Sequence, residues 1–182
     1  MTDVDIRSEV VAGNGSGSTA TAPAPRTYSR REIVDFLYRE AQLADEHKYA
    51  EWESLWTDDG IYWVPVDGND TDPAKTVSFI YDNRVRLRTR IGMLLTGERH
   101  SQVPPSDLAR VISNVLVGEQ VPGEDIDVSA AFVLIEYRRE HIIWAGRVKY
   151  KLRVTEDGLK IALKKIVLVD SYDAIRKLGF IL

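Results

Sequence analysis

The fold is decided by the stretch WESLWTDDGIYWVPV, residues 52–66 of the 182-residue chain. Trp52, Leu55 and Trp56 are spaced i, i+3 and i+4, so on a helix they form a single apolar stripe. A stripe with two tryptophans buries a large area when it packs onto a sheet. The first half of the stretch therefore predicts the end of a short helix, at about 48–56, whose apolar side faces the core.

The second half of the stretch predicts a turn and then a strand. Asp58-Asp59-Gly60 places two poor helix formers before a glycine that accepts a positive φ, so the helix is expected to stop there. Ile61-Tyr62-Trp63-Val64 is a β-branched and aromatic run, which is typical of a strand. We interpret the stretch as a core corner between helix and sheet, with the Tyr62 hydroxyl as a polar group that a pocket could use.

Upstream of this corner, order is predicted to begin at Tyr28. Ser29 and Glu32 have the spacing of a capping box, and Tyr28 and Ile33 occupy the positions of a hydrophobic staple. The helix that follows places Ile33, Leu37, Ala41 and Ala44 on one face and is expected to break at Asp45-Glu46-His47. Residues 1–27 are rich in Gly, Ser, Ala and Pro, so they are predicted to be a disordered tail, and residues 28–182 a single domain.

Downstream of the corner, the pattern changes from helical to extended. A helix is predicted at about 82–96, with Leu87, Ile91, Leu94 and Leu95 on its stripe and Gly97 at the C-cap. Its alternating arginines are expected on a solvated or salt-bridged surface, with an interface to a partner chain as the alternative. Long β-type runs follow at Arg110–Val117, Val128–Arg138, Ile142–Thr155 and Leu159–Val169, and the turns between them indicate antiparallel hairpins. The apolar end, Phe180-Ile181-Leu182, is expected to pack onto the rest of the domain.

Helices followed by long strands define the α+β class. A curved antiparallel sheet wrapped around the N-terminal helices gives a cone-shaped half-barrel with room for an interior cavity.

Composition and charge narrow the function classes. The chain is 44% hydrophobic and 29% charged, and its formal net charge of −4 gives no electrostatic reason to bind nucleic acid or an anionic membrane. No apolar run approaches the roughly 20 residues of a membrane span, and the N-terminus lacks the apolar region of a secretory signal. The absence of cysteine excludes disulfides, thiol nucleophiles and iron–sulfur ligation. A cytoplasmic protein is expected.

Motifs that carry chemistry are sparse. His47, His100 and His141 are the three histidines, and none has a partner at the spacing of a zinc or iron site. Asp58-Asp59 is a pair of adjacent carboxylates, but its position favours a turn over an acid–base pair. No nucleophile elbow, phosphate-binding loop or HExxH sequence occurs. The residues alone therefore do not require an enzyme.

Several motifs, taken in chain order, nevertheless resemble one family. They are FLYREAQLADEHKYAEWESLW at 36–56, DDGIYWVPV at 58–66, RLRTRIGMLLTGERHSQVPPSDLARVISNVLV at 86–117 and KKIVLVDSY at 164–172. Together they resemble the small (beta) subunit of bacterial aromatic-ring-hydroxylating dioxygenases, over about Glu32 to Leu182. The fold of that family is a cone-shaped α+β barrel shared with nuclear transport factor 2 and scytalone dehydratase, which agrees with the outline above.

The resemblance implies a division of labour between two kinds of chain. This chain would be a structural subunit without an active site, in a complex that uses electrons from NADH to add both atoms of dioxygen to an arene, giving a cis-dihydrodiol. The large (alpha) partner subunit would hold a Rieske [2Fe–2S] cluster and a mononuclear Fe(II), and this chain would hold no cofactor or metal. A trimer of small chains would carry three large chains. The lack of cysteine agrees, because a Rieske cluster needs two Cys and two His.

Two alternatives from other classes stay open. Cone-fold relatives include free-standing dehydratases and isomerases, and on that hypothesis Tyr62, Asp45 and His100 would serve as acid, base and orienting group. A small-ligand-binding protein without chemistry is the third hypothesis. The interior decides among the three, because both alternatives fail if apolar side chains fill the cavity.

Overall fold

The computed structural model describes residues 26–66, 72–73, 75–96, 105–173 and 178–182. These residues form helices α1 (Arg30–Asp45), α2 (Tyr49–Ser54) and α3 (Arg84–Leu95), and strands β1 (Trp56–Pro65), β2 (Ser78–Asp82), β3 (Asp107–Val117), β4 (Ile126–Tyr137), β5 (His141–Thr155) and β6 (Gly158–Leu168). The strands build one curved, unclosed sheet in the order β2-β1-β6-β5-β4-β3. The α+β cone predicted from the sequence is confirmed. The predicted tail at 1–27 lies outside the described residues, apart from Arg26 and Thr27.

The start of α1 follows the capping prediction. The Ser29 side chain accepts a hydrogen bond from the Glu32 backbone N–H at 3.2 Å, and Glu32 Oε2 accepts one from the Ser29 backbone N–H at 2.8 Å. Tyr28 and Ile33, the predicted staple, are both buried in the same hydrophobic cluster. The helix ends at Asp45, and His47 adopts a left-handed φ of 57°, so the break falls where it was predicted.

The corner at residues 52–66 folds differently from the prediction. Helix α2 ends at Ser54 and β1 begins at Trp56, so Asp58-Asp59-Gly60 lies inside the strand instead of ending the helix. The register of β1 against β6 shifts between Trp56 and Ile61, and the polar residues fall in this irregular segment. Gly60 is needed for space and not for a positive φ, because a Cβ there would lie 2.9 Å from Trp56 Cε3. An irregular strand with two exposed aspartates has the composition of a turn, which explains the error.

The sheet is antiparallel with one exception. The predicted hairpins β3–β4, β4–β5 and β5–β6 are all antiparallel, whereas β1 pairs with β6 in parallel. Strand β5 alternates, with Trp144, Val148, Tyr150 and Leu152 buried and Arg147, Lys149 and Lys151 exposed. Val154 departs from this pattern, because it is 36% exposed near the end of the strand. One face of the sheet therefore packs on the helices and the other faces outward.

The surface of α3 is salt-bridged, as predicted. Arg84 and Arg88 both pair with Glu53, at 3.1 and 3.0 Å, and Arg90 pairs with Asp82 at 2.6 Å. Leu95, expected on the apolar stripe, is 59% exposed at the last residue of the helix. The predicted cap Gly97 lies outside the described residues. In the part of the chain that the structure describes, no helix is long and apolar enough to cross a membrane.

Candidate functional site

The interior of the cone contains a cluster of four polar side chains, the Glu40–Lys164 cluster, formed by Glu40 of α1, Trp52 of α2, Tyr150 of β5 and Lys164 of β6. Glu40 Oε1 accepts hydrogen bonds from Trp52 Nε1 at 2.6 Å and from Lys164 Nζ at 2.7 Å. Glu40 Oε2 accepts from the Tyr150 hydroxyl at 3.1 Å. All four residues are at most 2% exposed, so both carboxylate oxygens are satisfied without solvent.

The charges of this cluster are balanced. Burial by itself would raise the pKa of Glu40, but the cations of Lys164 and Arg110 and the hydrogen-bond donors outweigh burial, so the pKa lies below its ordinary value. Glu40 is therefore ionised and neutralised by the Lys164 ammonium. Burial raises the pKa of Tyr150 well above its ordinary value, so its hydroxyl stays protonated and donates to Glu40. The cluster is a closed ion pair with fixed donors and has no free acid or base.

A second ion pair joins α1 to the edge strand β3. Asp45 Oδ1 accepts from Arg110 Nε at 2.7 Å, and Asp45 Oδ2 accepts from the Arg110 backbone N–H at 3.0 Å. The Arg110 side chain is 3% exposed, and its Nη2 donates to the backbone oxygen of Ile181 at 2.8 Å. Asp45 thus satisfies a backbone N–H of the edge strand β3. It also positions the Arg110 side chain against the C-terminal segment.

The structure brings together two of the three residues proposed for the dehydratase hypothesis. Tyr62 is fully buried, and its hydroxyl accepts from the Leu182 backbone N–H at 3.1 Å. Burial raises the pKa of Tyr62 far above its ordinary value. Asp45 reaches the neighbouring residue, Ile181, through Arg110. Both groups therefore have partners, and His100 lies outside the described residues.

Apolar side chains occupy the space between helices and sheet. Trp52, Trp56 and Tyr62 pack on one another, with ring centroids 5.1 to 6.1 Å apart. Phe180 packs edge-to-face on Trp144 at 5.9 Å. By contrast, a pocket of about 640 Å³ lies at the periphery, between Tyr28, the β3–β4 connection and the end of β5. The docking of the Phe180-Ile181-Leu182 end, predicted from its composition, is confirmed, because these residues are 3%, 0% and 1% exposed.

The remaining described histidines serve local contacts. His47 Nε2 lies 3.0 Å from the Ser106 carbonyl oxygen, which can only accept, so this nitrogen carries the proton. His47 Nδ1 then accepts from the Tyr49 hydroxyl at 2.6 Å. His141, at the start of β5, packs on Tyr137 with ring centroids 4.8 Å apart and ring planes tilted by 36°. Within the described ranges, no group of three or more His, Asp or Glu side chains is arranged to hold a metal ion.

Sequence reasoning missed Glu40, Arg110 and Lys164. A signal for Glu40 was present, because residue 40 lies seven positions after Ile33 and three after Leu37, on the apolar stripe of α1. Lys164 likewise has the strand parity of the buried Ile166. Neither position shows from sequence alone that it has a partner of opposite charge.

The comparisons with known proteins point to one class, the small subunits of multicomponent aromatic dioxygenases. The small oxygenase component of the p-cumate 2,3-dioxygenase system of Pseudomonas putida is 32% identical over 147 residues, 77% of this chain and 79% of that protein. The biphenyl 2,3-dioxygenase subunit beta of Rhodococcus jostii (strain RHA1) is 33% identical over 163 residues, 81% of this chain and 86% of that protein.

A solved structure and a family model agree. The beta subunit of benzoate 1,2-dioxygenase from Burkholderia mallei superposes with a TM-score of 0.71 and 26% identity, covering 86% of this chain and 99% of that chain. The model described as "Ring hydroxylating beta subunit" matches residues 39–173. This chain belongs to the ring-hydroxylating beta subunit family, and the resemblance found in the sequence is confirmed.

Proposed function

We propose that this chain is a non-catalytic structural subunit of a cytoplasmic aromatic-ring-hydroxylating dioxygenase. The complex adds both atoms of dioxygen to an arene, giving a cis-dihydrodiol, with electrons from NADH. The partner large subunit holds a Rieske [2Fe–2S] cluster and a mononuclear Fe(II), and three small chains assemble with three large ones. This chain does not fit the cluster, because a Rieske site needs two cysteines and the sequence has none. The names of the relatives indicate aromatic substrates, such as p-cumate and biphenyl.

The absence of an active site in this chain is supported by the state of its buried polar groups. Tyr62, Asp45 and Glu40 each hydrogen-bond a named protein partner. Trp52 packs on Tyr62 and donates to Glu40. A general base must reach a substrate proton at hydrogen-bond distance, and these groups are already engaged inside the fold. No contact in the described part of the chain favours the dehydratase or isomerase hypothesis over the subunit role.

The main support for the proposed assembly is an uncharged patch on the outer face of the sheet. It is called the outer patch here and consists of Ala109, Val111, Val133, Ile135, Ile143, Ala145 and Val169. Val133 faces Val111 on one side and Ala145 on the other, and Ile135 faces Ala109 and Ile143 in the same way. Val111, Ile143 and Val169 are 65%, 67% and 75% exposed. A contiguous exposed apolar surface of this kind is typical of an interaction site.

The composition of the outer patch favours a permanent partner, and we assign it to neighbouring copies of the small chain. Permanent interfaces between identical chains are more apolar than transient ones and resemble a domain core. The outer patch spans three paired strands, whose antiparallel register holds it as a rigid surface. The small-subunit trimer is therefore expected to form through this face, and the large subunit to bind elsewhere.

The test combines co-expression with a matched pair of substitutions. The chain is purified alone and together with the Rieske-type large subunit from the same operon, and iron content, visible spectrum and mass by light scattering are measured. Iron and colour are expected in the co-purified complex only, and the lone chain is expected to be a trimer. Val133→Lys should dissociate the trimer. Val77→Lys makes the same chemical change at a residue that is 78% exposed outside the outer patch, so it should leave the trimer intact.

Two results would refute the proposal. Stoichiometric iron in the lone chain, or turnover of a dehydratase or isomerase substrate, would remove the structural-subunit role. Equal assembly of Val133→Lys and Val77→Lys would show that the outer patch is not the contact between small chains. Circular dichroism of both variants checks that each is folded before its mass is interpreted.

A further inference from the structure

The outward side of α3 carries no charged residue. Five uncharged residues follow one another there at helical intervals, namely Val85, Thr89, Gly92, Met93 and Thr96. They are called the α3 face here. All five are exposed, and the side chains of Val85 and Met93 belong to residues that are 70% and 46% exposed. A helix side that meets only water normally bears charged or strongly polar groups, so the composition of the α3 face is typical of a contact surface.

The two threonines do not make the α3 face strongly polar. Thr89 Oγ1 donates to the Val85 backbone oxygen at 3.1 Å, and Thr96 Oγ1 donates to the Met93 backbone oxygen at 3.1 Å. Each hydroxyl hydrogen is thus satisfied by the backbone of the helix itself, a common arrangement for threonine within helices. A partner that covers the α3 face therefore does not have to supply acceptors for these two groups.

Gly92 is the residue of α3 that the fold does not explain. Glycine inside a helix is unfavourable relative to alanine, because it loses more backbone freedom on folding. Gly60 and Gly146 are needed for space, since a Cβ at either position would meet ring or backbone atoms. At Gly92, by contrast, no described atom beyond the local helix backbone lies within 4 Å of the place that a Cβ would take. A missing side chain on an exposed helix allows close approach from outside, so the reason for Gly92 lies in a partner.

The arginines beside the α3 face are not fully neutralised. Arg84 and Arg88 share one carboxylate, that of Glu53, and Arg88 reaches a second one, that of Asp58, only at 3.8 Å. Arg86 is exposed and donates to a backbone oxygen, and it forms no ion pair in the part of the chain that the structure describes. Three guanidinium groups thus face two carboxylates. The remaining positive charge favours a partner surface with acidic side chains.

The α3 face lies away from the outer patch. Helix α3 contacts β1 and β2, which form one end of the strand order, whereas the outer patch lies mainly on β3, β4 and β5 at the other end. A contact between small chains that is centred on the outer patch therefore does not require the α3 face. This leaves the α3 face for a chain of a different kind.

We propose that the α3 face is a docking site for a helix of the large subunit, an assignment that rests on the structural-subunit role. The partner helix places a small or apolar residue against Gly92, where the absent side chain allows the two backbones to approach. Its acidic residues lie at Arg86 and Arg88, which border the α3 face on either side. A second copy of the small chain is the competing occupant, and the oligomeric state of the lone chain decides between the two.

The experiment compares the lone chain with the co-purified complex for Gly92→Ala and Gly92→Leu. The Tm of the lone chain is measured at one protein concentration, and light scattering over a dilution series gives the concentration at which half of the large subunit has dissociated. Gly92→Ala is expected to raise Tm by about 2–4 °C, because alanine is the better helix former and has room at this position. The same substitution should raise the half-dissociation concentration about tenfold, and Gly92→Leu about 100-fold, because the added atoms enter a close contact. A role confined to the fold of the small chain would not stabilise that chain while weakening the complex.

A matched pair of charge reversals tests the recognition by arginine. Arg86→Glu should weaken the complex about tenfold at low salt and less at high salt, because the contact between opposite charges is screened. Arg39→Glu makes the same chemical change at an exposed arginine of α1 and should leave the half-dissociation concentration unchanged. Circular dichroism checks that every variant is folded before its assembly is interpreted.

Several results would overturn the assignment. A complex of Gly92→Leu as stable as that of the unmodified chain would show that the α3 face is not the docking site, and a lower Tm in Gly92→Ala would show that the fold itself requires the glycine. Dissociation of the lone-chain trimer by Gly92→Leu would identify a second small chain as the occupant. Equal effects of Arg86→Glu and Arg39→Glu would remove the charge recognition.

Failure of the structural-subunit role gives a different result. In that case the unmodified chain does not co-purify with the large subunit at all, and the docking assignment is lost with it. If the unmodified complex forms and the Gly92 variants assemble equally well, only the docking assignment is lost. The two failures are therefore distinguishable.

Discussion

Replacing Lys164 by Met tests the buried ion pair most directly. Lys164 Nζ lies 2.7 Å from Glu40 Oε1, and the two side chains are 2% and 0% exposed. Removing one partner of a buried pair leaves an uncompensated charge and costs about 3–5 kcal/mol. The Leu182 oxygen also loses its donor, which by itself costs about 1–3 kcal/mol. Because both losses come from one ammonium group, they do not add fully, and we expect a total of about 4 kcal/mol.

A double-mutant cycle separates the pair from the packing around it. Glu40→Gln leaves the Lys164 ammonium without its carboxylate, so it should also destabilise the protein by about 3 kcal/mol. Glu40→Gln with Lys164→Met removes both charges of the ion pair and leaves only the Leu182 oxygen without its donor, so we expect it to lie within about 2 kcal/mol of the unmodified chain. Since the single variants together lose about 7 kcal/mol and the double variant at most about 2, the coupling energy should be about 5 kcal/mol or more, far above the experimental error of such cycles.

Urea denaturation followed by tryptophan fluorescence measures all four proteins, since Trp52 contacts Glu40 directly. The folded-state pKa of Glu40 lies below the ordinary value of 4.5, so its ionised form stabilises the fold above pH 4.5. This contribution is lost as the pH falls below 4.5 through the folded pKa. Glu40→Gln should therefore flatten the acid limb of the stability curve. Glu119→Gln makes the same chemical change at an exposed carboxylate and should not change that limb measurably.

Additive single effects would refute this reasoning. If the free energy of unfolding lost in the double variant equals the sum of the losses in the two single variants to within about 0.5 kcal/mol, the two residues do not interact energetically, and the cluster contributes packing alone. An unchanged acid limb in Glu40→Gln would show that Glu40 is not ionised in the folded state.

Three further predictions concern the corner, the sheet and the N-terminus. Trp56→Ala should cost about 3–5 kcal/mol in urea denaturation, because the ring is 4% exposed and packs 5.1 Å from Trp52, and a cost under about 1 kcal/mol would contradict its burial. Gly146→Ala should lower the urea midpoint strongly, because its Cβ would overlap the backbone oxygen of Val167; an unchanged midpoint would contradict this close approach. Deleting residues 1–25 should leave Tm and assembly unchanged, since their composition offers little to bury, and a loss of several degrees would show that they dock.

Elements in which apolar and polar residues alternate regularly could be predicted from the sequence, because this alternation shows which side of the element is buried. In β5, Tyr150 and Leu152 alternate with Lys149 and Lys151, and the structure buries the first pair and exposes the second. The corner has no such period. Asp58-Asp59-Gly60 interrupts β1, and the pairing of β1 with β6 is parallel, so no hairpin turn marks it in the sequence.

The interior cluster could not be predicted for a different reason. Lys and Glu are seldom fully buried, so a charged residue on an apolar stripe is assigned to the surface unless a partner is known. The partner of Glu40 lies 124 positions away in β6, and only the folded chain brings the two together. The docking of Phe180-Ile181-Leu182 was predictable from composition, whereas the groups that receive it were not.

The two faces of the sheet have separate roles, and this separation makes the structural-subunit proposal internally testable. The inner face is occupied by the helices, the Glu40–Lys164 cluster and the chain's own C-terminal segment, so it leaves no surface for another protein chain. The outer patch is the surface that we propose for assembly. Lys164→Met should therefore lower stability but not change the oligomer below its melting temperature, whereas Val133→Lys should dissociate the oligomer at nearly unchanged monomer stability. A substitution on one face that produced the effect expected of the other would show that fold and assembly are coupled through the sheet.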